Sequence, residues 1–346
     1  MQTLSDLLGI ELPIIQAPMA GAQGSALAIA VANAGGLGSL PCAMLSADAM
    51  RSELAAIRAQ TKKPINVNFF CHEEPLPNES REMRWRDKLA GYYREFGVES
   101  GSAPAGAQRR PFNAEAADVF AEFEPEVVSF HFGLPTPELL ERVRTWGGKI
   151  LSSATTVDEA RWLEARGVDI IVAQGWEAGG HRGHFLSDDL TMQPGTFALV
   201  PQIVNAVRVP VVAAGGIADP RGVAAAMRLG AAGVQIGTAY LLCPESTITH
   251  LHRAALKSDA ARHTAVTNVI TGRPARGIVN RIARELGPID PDAPEFPLAY
   301  NAVAPLRAKA ESAGSSDFSP LWAGENATGC REIGAAELTR ELAALL

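Results

Sequence analysis

The segment Gln174-Gly175-Trp176-Glu177-Ala178-Gly179-Gly180-His181-Arg182-Gly183-His184 sets two histidines among four glycines. It follows the apolar run Val168-Asp169-Ile170-Ile171-Val172-Ala173, which reads as a buried parallel strand. His181 therefore arrives in a glycine-rich loop just past a strand's carboxyl end, where α/β barrels keep their chemistry. An imidazole of ordinary pKa, about 6.5, is largely neutral at physiological pH and can take a proton there. Gly179, Gly180 and Gly183 would let the backbone and the ring crowd a flat ligand. The pair His181 and His184 has no His-Glu-x-x-His context and no evident third ligand, so no metal is expected.

Two more glycine motifs look like anion sites. Val211-Val212-Ala213-Ala214-Gly215-Gly216-Ile217 ends an apolar run in a tight turn before the Asp219-Pro220 helix start, and Val234-Gln235-Ile236-Gly237-Thr238 repeats the device with a hydroxyl added. Loops after the seventh and eighth strands of a barrel are its usual phosphate site, where exposed amides and a helix N-terminus stabilise negative charge. Taken singly, each motif could serve only to permit a tight turn; the pair at this spacing points to a phosphate-bearing ligand.

The elements that must position these loops follow a regular march. Eight apolar runs read as strands: Ile14 to Ala17, Leu37 to Leu40, Ile65 to Phe70, Val127 to Phe132, Ile150 to Ala154, Ile170 to Ala173, Val211 to Ala214 and Val234 to Ile236. Between them lie the helical patterns Ser25 to Asn33, Ala47 to Arg58, Thr136 to Trp146, Val157 to Arg166, Phe197 to Val207 and Pro220 to Leu229. The alternation predicts an α/β fold, a (β/α)8 TIM barrel. A dinucleotide fold is disfavoured, because Gly36-Leu37-Gly38 is followed at position 41 by proline. Residues 1–260 are expected to form the barrel, with a helical insertion after strand 3 at about 71–113. That insertion carries a charged helical pattern, Glu79 to Phe96, and the Gly/Ser/Ala/Pro-rich connector Gly97 to Pro111. Residues 261–346 are expected to form a smaller C-terminal extension packing over the catalytic face.

Composition narrows the function classes. The 346 residues are 47% hydrophobic and 20% charged, ordinary for a globular chain. A net charge of −7 argues against a general nucleic-acid binder, which needs clustered Lys and Arg. Cys42, Cys71, Cys243 and Cys330 are scattered without zinc-like spacing, which fits free thiols and a cytoplasmic protein. No apolar stretch reaches the roughly 18 residues of a membrane span. Asn78-Glu79-Ser80 and Asn326-Ala327-Thr328 read as chance matches to the glycosylation triplet.

Taken together, Gln16-Ala17-Pro18-Met19, Val67-Asn68-Phe69-Phe70, Ser129-Phe130-His131-Phe132-Gly133, the Gln174 to Gly183 loop, Ala213-Ala214-Gly215-Gly216-Ile217 and Gln235-Ile236-Gly237-Thr238 resemble the nitronate monooxygenase family, formerly called 2-nitropropane dioxygenase. The similarity runs from about Ile14 to Tyr240 and continues loosely through Leu321-Trp322-Ala323-Gly324. It implies a non-covalent FMN at the carboxyl face. By matching position, Ala17, Pro18 and Met19 would lie along the flavin ring, while Asn68 and Gln174 would hydrogen-bond its polar edge. Gly179 would approach it through the backbone, Gly215, Gly216, Gly237 and Thr238 would hold the phosphate, and Gly180 and Gln235 would complete the cofactor set. Asn68 and Gln174 have a plainer reading as satisfied core amides.

The resemblance makes His181 the catalytic base. It implies oxidation of alkyl nitronates, such as propionate 3-nitronate, and of nitroalkanes by O2 to carbonyl compounds and nitrite. His131 either faces the cavity and touches substrate or is a core residue; Ser153, at a strand end, and Tyr300 are further substrate candidates. Arg182 either attracts an anionic nitronate or is a solvent-facing loop arginine, and Trp176 shapes the pocket. The expected partners are the small substrate and O2, in a monomer or homodimer with no nucleic acid or membrane. The rival on the same scaffold is an FMN-dependent NAD(P)H enoyl-thioester or quinone reductase, and a second rival is a flavin-free barrel that binds a phosphate-containing metabolite.

Overall fold

The computed structural model describes residues 3–99 and 109–346. In chain order its strands are β1 (Ile14–Gln16), β2 (Gly38–Pro41), β3 (Ile65–Phe70), β4 (Val127–His131), β5 (Lys149–Ala154), β6 (Ile170–Gln174), β7 (Gly180–His181), β8 (Val211–Ala214), β9 (Gly233–Ile236), β10 (Thr264–Thr267) and β11 (Ala275–Ile278). Eight of them form one parallel sheet in the order β1-β9-β8-β6-β5-β4-β3-β2. Its two ends meet: Leu37 N–H donates to Ile14 O at 2.8 Å and Gln16 N–H to Leu37 O at 2.9 Å, closing the barrel. The eight strands expected from sequence and the helices between them are present within two residues of the expected bounds.

The strands are Val- and Ile-rich because a barrel strand is covered on both faces, inside by other strands and outside by helices. Side chains alternate, so Ile170 and Val172 join Val127, Leu151 and Val212 inside, while Ile171 and Ala173 face the helix layer. Helix Leu4–Leu8 contributes Leu4 and Leu8 to the inner cluster, each burial stabilising by roughly 1.5–3 kcal/mol. The same period of two has a consequence at the other end. The last inward positions of the strands are Phe70, His131, Ser153, Gln174, Ala214 and Gln235, and these line a single cavity.

The insertion is a helix, Glu79–Phe96, started by Asn78, whose Oδ1 accepts from Arg81 N at 3.0 Å, and stopped by left-handed Gly97. Of the expected connector Gly97 to Pro111, residues 100–108 lie outside the described residues. The insertion helix packs on helix Ala299–Ser312, and Trp85, Leu89, Tyr92 and Tyr93 share a second core with Ala299, Val303, Leu306 and Phe318. Trp85 Nε1 donates to Ala299 O at 3.3 Å and Tyr93 Oη to Ala302 O at 2.7 Å.

Insertion and extension therefore build one cap. The extension is not all cap, however. Its last helix, Ala335–Leu342, puts Leu338 and Leu342 into the barrel core, and Thr339 meets the buried Tyr240 hydroxyl at 2.9 Å. The expected division at residue 260 assigns this helix to the cap; its contacts assign it to the barrel wall. Strands β10, β11 and β7 form a small antiparallel sheet, with Ala275 opposite His181, that ties the cap to the glycine-rich loop. No helix among the described residues is long and apolar enough to cross a membrane.

Candidate active site

The cavity at the carboxyl ends of the barrel strands has a volume of about 270 Å3. Ala17, Pro18 and Met19 follow β1 and form one wall; Asn68, His131, Ser153 and Gln174 come from β3 to β6. Gly179, Gly180 and His181 line it from the loop and short strand after β6, and Gly215, Gly216, Gln235, Gly237 and Thr238 from the ends of β8 and β9. The catalytic, cofactor and substrate candidates from the sequence all line this space except Tyr300, and neither Arg182 nor Trp176 lines it.

His181 sits on the cavity face of β7, half-buried, inside an aromatic box. Its ring centroid is 5.1 Å from Phe296, 5.5 Å from Trp322, 6.1 Å from Phe132 and 6.4 Å from Phe70. Nε2 is 2.9 Å from Thr271 Oγ1. The main chain is held separately: His181 O accepts from Gln174 Nε2 at 3.0 Å and meets His131 Nε2 at 3.1 Å. Burial pushes the His181 pKa well below its ordinary value, and the cations Arg109 and Arg273, with His131 and His72, push the same way. The ring is therefore neutral at physiological pH.

His131 faces the cavity, and its contacts fix its protonation. A carbonyl only accepts, so Nε2 must carry the proton that bonds His181 O. Nδ1 is then an acceptor for Ser153 Oγ–H at 2.9 Å. Both residues are thus committed to supporting the His181 loop. Gln174 is partly committed too, since its Oε1 accepts from Gly183 N at 2.7 Å. Asn68 differs: Nδ2 donates to Ser129 O at 3.1 Å and Ser129 Oγ at 3.0 Å, which leaves Oδ1 facing the cavity as an acceptor.

The end beyond β8 and β9 suits an anion. Gly215 and Gly216 have φ of 118° and 74°, a region L side chains rarely adopt, and the Gly216 N–H has no hydrogen-bond partner among the described residues. Thr238 Oγ1 accepts from Gly324 N at 2.9 Å, so its own proton is available to a ligand. Gly179 is held for a different reason: a Cβ there would stand 2.5 Å from Gly324 N and 2.6 Å from Ala323 C. A cavity lined by the Asn68 and Gln174 amides at one part and by Gly215, Gly216 and Thr238 at another has groups of the kind that would hold a flavin ring's mixed polar edge and a phosphate.

Three readings need correction. Arg182 is fully buried: it donates to Gly175 O at 2.6 Å, Gln174 O at 2.9 Å and Gln193 Oε1 at 2.8 Å, and burial pushes its pKa down to about 9. It braces the loop from behind, is not solvent-facing and does not line the cavity. Trp176 does not line the cavity; its ring packs under the guanidinium groups of Arg182 at 5.3 Å and Arg276 at 5.6 Å. Tyr300 does not line it either. Its hydroxyl accepts from Arg307 Nη1 at 3.0 Å and its ring lies 4.8 Å from the Arg109 guanidinium, so it positions two arginines that do.

Those arginines, with Thr271, are functional candidates the sequence did not single out. Arg307 is paired with Glu311 at 2.7 Å, whereas Arg109 has no salt-bridge partner among the described residues. His184 is buried 3.6 Å from Asp188, and no group of three His, Cys, Asp or Glu side chains suited to a metal occurs among the described residues.

Comparison with known proteins agrees with this geometry. The nitronate monooxygenase family model matches residues 1–344. Proteins named nitronate monooxygenase from Paraburkholderia phytofirmans and Pseudomonas aeruginosa are each 43% identical to this chain, covering 99% and 97% of it and 94% and 96% of their own lengths. Among solved structures, nitroalkane oxidase from Streptomyces ansochromogenes superposes with a TM-score of 0.89 at 39% identity, over 99% of this chain and 96% of that one. FabK from Thermotoga maritima is more distant, with a TM-score of 0.74 at 28% identity over 99% and 95%. A TIM barrel with its histidine loop at the carboxyl face, matched over nearly its whole length, makes this oxidoreductase a member of the nitronate monooxygenase family.

Proposed function

We propose that the protein oxidises alkyl nitronates, propionate 3-nitronate among them, and nitroalkanes by O2 to carbonyl compounds and nitrite, with non-covalent FMN as cofactor and His181 as general base. The observation that carries this reading is the neutral His181 ring on the wall of a cavity suited to a flavin. A neutral imidazole can remove the proton from the carbon that bears a nitro group, forming the nitronate anion; a preformed nitronate does not need this step. Phe70, Phe132, Phe296 and Trp322 exclude water around the ring. Arg109 and the imidazolium formed on proton transfer stabilise the new anion. Bound FMN would supply the electron acceptor and the route to O2. Ala17 to Met19 and Gly179 would sandwich its ring, Asn68 Oδ1 and the remaining Gln174 N–H would meet its edge, and Gly215, Gly216, Gly237 and Thr238 would hold its phosphate.

The scattered thiols and the absence of a spanning helix among the described residues support a cytoplasmic site of action, with the small substrate and O2 as partners. Nitrite release with matching oxygen uptake from propionate 3-nitronate, by protein purified with FMN, tests the reading. Protein that binds no flavin, or turns over no nitronate, overturns it. The likeness to FabK motivates one rival, a reductase using NAD(P)H. It wins if anaerobic NADPH rapidly bleaches the flavin while nitronate leaves it oxidised.

A further inference from the structure

Thr271 lies in the turn joining β10 to β11, 90 residues along the chain from His181, and is 1% exposed. Strand β11 pairs with β7, so one hairpin holds the His181 backbone through Ala275 and reaches its ring through Thr271. The turn is anchored within the cap. Asn268 Nδ2 donates to Asp290 O at 2.9 Å, Asp290 N donates back to Asn268 Oδ1 at 2.9 Å, and Gly272 N donates to Asn268 O at 2.8 Å. Asp290 in turn takes Lys88 of the insertion helix at 2.7 Å.

The hydroxyl of Thr271 has one proton and two neighbours. Arg273 O, 3.3 Å away, can only accept, so both contacts are hydrogen bonds at once only with the hydroxyl proton on Arg273 O. The hydroxyl oxygen is then an acceptor for His181 Nε2–H at 2.9 Å. Nδ1 has no hydrogen-bond partner among the described residues and is not sealed off from the cavity. We infer that Thr271 is a positioning residue that holds neutral His181 as the Nε2–H tautomer, so that Nδ1 is the atom that takes the substrate's proton. After transfer, Nδ1 carries that proton, the carbon keeps the electron pair as nitronate, and Nε2–H remains on Thr271.

The inference rests on the base role proposed above, and two measurements separate it from that role. Nitrogen-15 NMR of the purified holoprotein reads the tautomer directly, with His181 assigned by its absence in His181→Asn. An unprotonated Nδ1 beside a protonated Nε2 is expected; the reverse overturns the inference whatever the enzyme does. Thr271→Val removes the acceptor and keeps the shape, Thr271→Ser restores it. Thr271→Val should lower kcat/KM for neutral nitroalkanes by about tenfold to a hundredfold, less than the roughly 10²- to 10⁴-fold that a general base supplies in full, and leave preformed nitronates nearly unchanged. Its acid limb should move to lower pH, because the imidazolium loses an acceptor while Arg109, Arg273, His131 and His72 still face it. Thr271→Ser should behave as wild type. Equal loss on both substrate forms, or a valine variant with wild-type nitroalkane turnover, overturns the inference. His181→Asn retaining nitroalkane turnover would overturn the base role instead.

Discussion

His131 Nε2 donates to the main-chain oxygen of His181 at 3.1 Å, so one histidine of the cavity holds another in place. The bond acts on the backbone of β7 and not on the imidazole that faces substrate. His131→Asn, too short to reach the same oxygen, should cost about 1–2 kcal/mol of stability. It should also lower turnover of nitroalkanes and nitronates alike, because the whole loop loosens. Calorimetric melting and kcat/KM on both substrate forms check this. A loss confined to nitroalkanes would make His131 part of the proton transfer itself.

Replacing the imidazole that faces substrate has the opposite selectivity. His181→Asn preserves polarity and approximate size, so the flavin should remain bound with its visible spectrum intact. Turnover of neutral nitroalkanes should fall by roughly 10²- to 10⁴-fold, the range general bases supply, and turnover of preformed nitronates much less. Steady-state nitrite release from each form decides it; equal loss argues against proton abstraction.

A backbone prediction concerns Gly179. A methyl group there would meet Gly324 N at 2.5 Å and Ala323 C at 2.6 Å, both main-chain atoms with no side-chain freedom to yield. Gly179→Ala should therefore separate the histidine loop from the 323–324 segment, destabilise by about 1–3 kcal/mol and reduce flavin content. Flavin absorbance per protein and the melting temperature measure the two effects.

Arg109 has no salt-bridge partner among the described residues. It lines the cavity beside His181, and burial lowers its pKa, as expected for a cation short of water and counter-ions. Arg109→Gln should reduce kcat/KM for propionate 3-nitronate by about 10- to 100-fold, the worth of one charge-assisted hydrogen bond. For propyl-1-nitronate, with no carboxylate, the loss should be smaller. Equal losses would assign Arg109 to the nitronate group alone.

The barrel was legible in the sequence because each of its strands is a local apolar run with a local stop. The cavity candidates were legible because strand ends and glycine turns are local as well. What escaped depends on contacts between distant residues. Trp85 meets Ala299 across 214 positions, and Thr271 meets His181 across 90. β7 is two residues long and exists only because β11 lies beside it, so no periodicity announces it. Arg182 reads as exposed since charge favours water, yet three oxygen acceptors behind the loop satisfy its guanidinium indoors. Tyr300 was drawn toward the substrate by likeness, whereas its hydroxyl and ring serve Arg307 and Arg109.

Acid sensitivity follows from the histidines as a group. Burial is the first cause of lowering at each: His72, His131 and His252 are pushed down to about 4, His184 to about 3, and His181 falls well below its ordinary value. In the unfolded chain all five titrate near 6.5. Above that pH neither state binds these protons, and the stability they leave intact is complete. Below it the unfolded chain takes up protons that the folded chain refuses, so stability falls as the pH drops from about 6.5 toward 4. Each histidine contributes a slope of up to about 1.4 kcal/mol per pH unit in that window. Melting temperature should be nearly flat from pH 7 to 8 and decline steeply between pH 6.5 and 4, before most carboxylates titrate. His252→Gln should make the decline shallower; a curve unchanged from pH 7 down to 5 would mean the buried rings accept protons in the folded state.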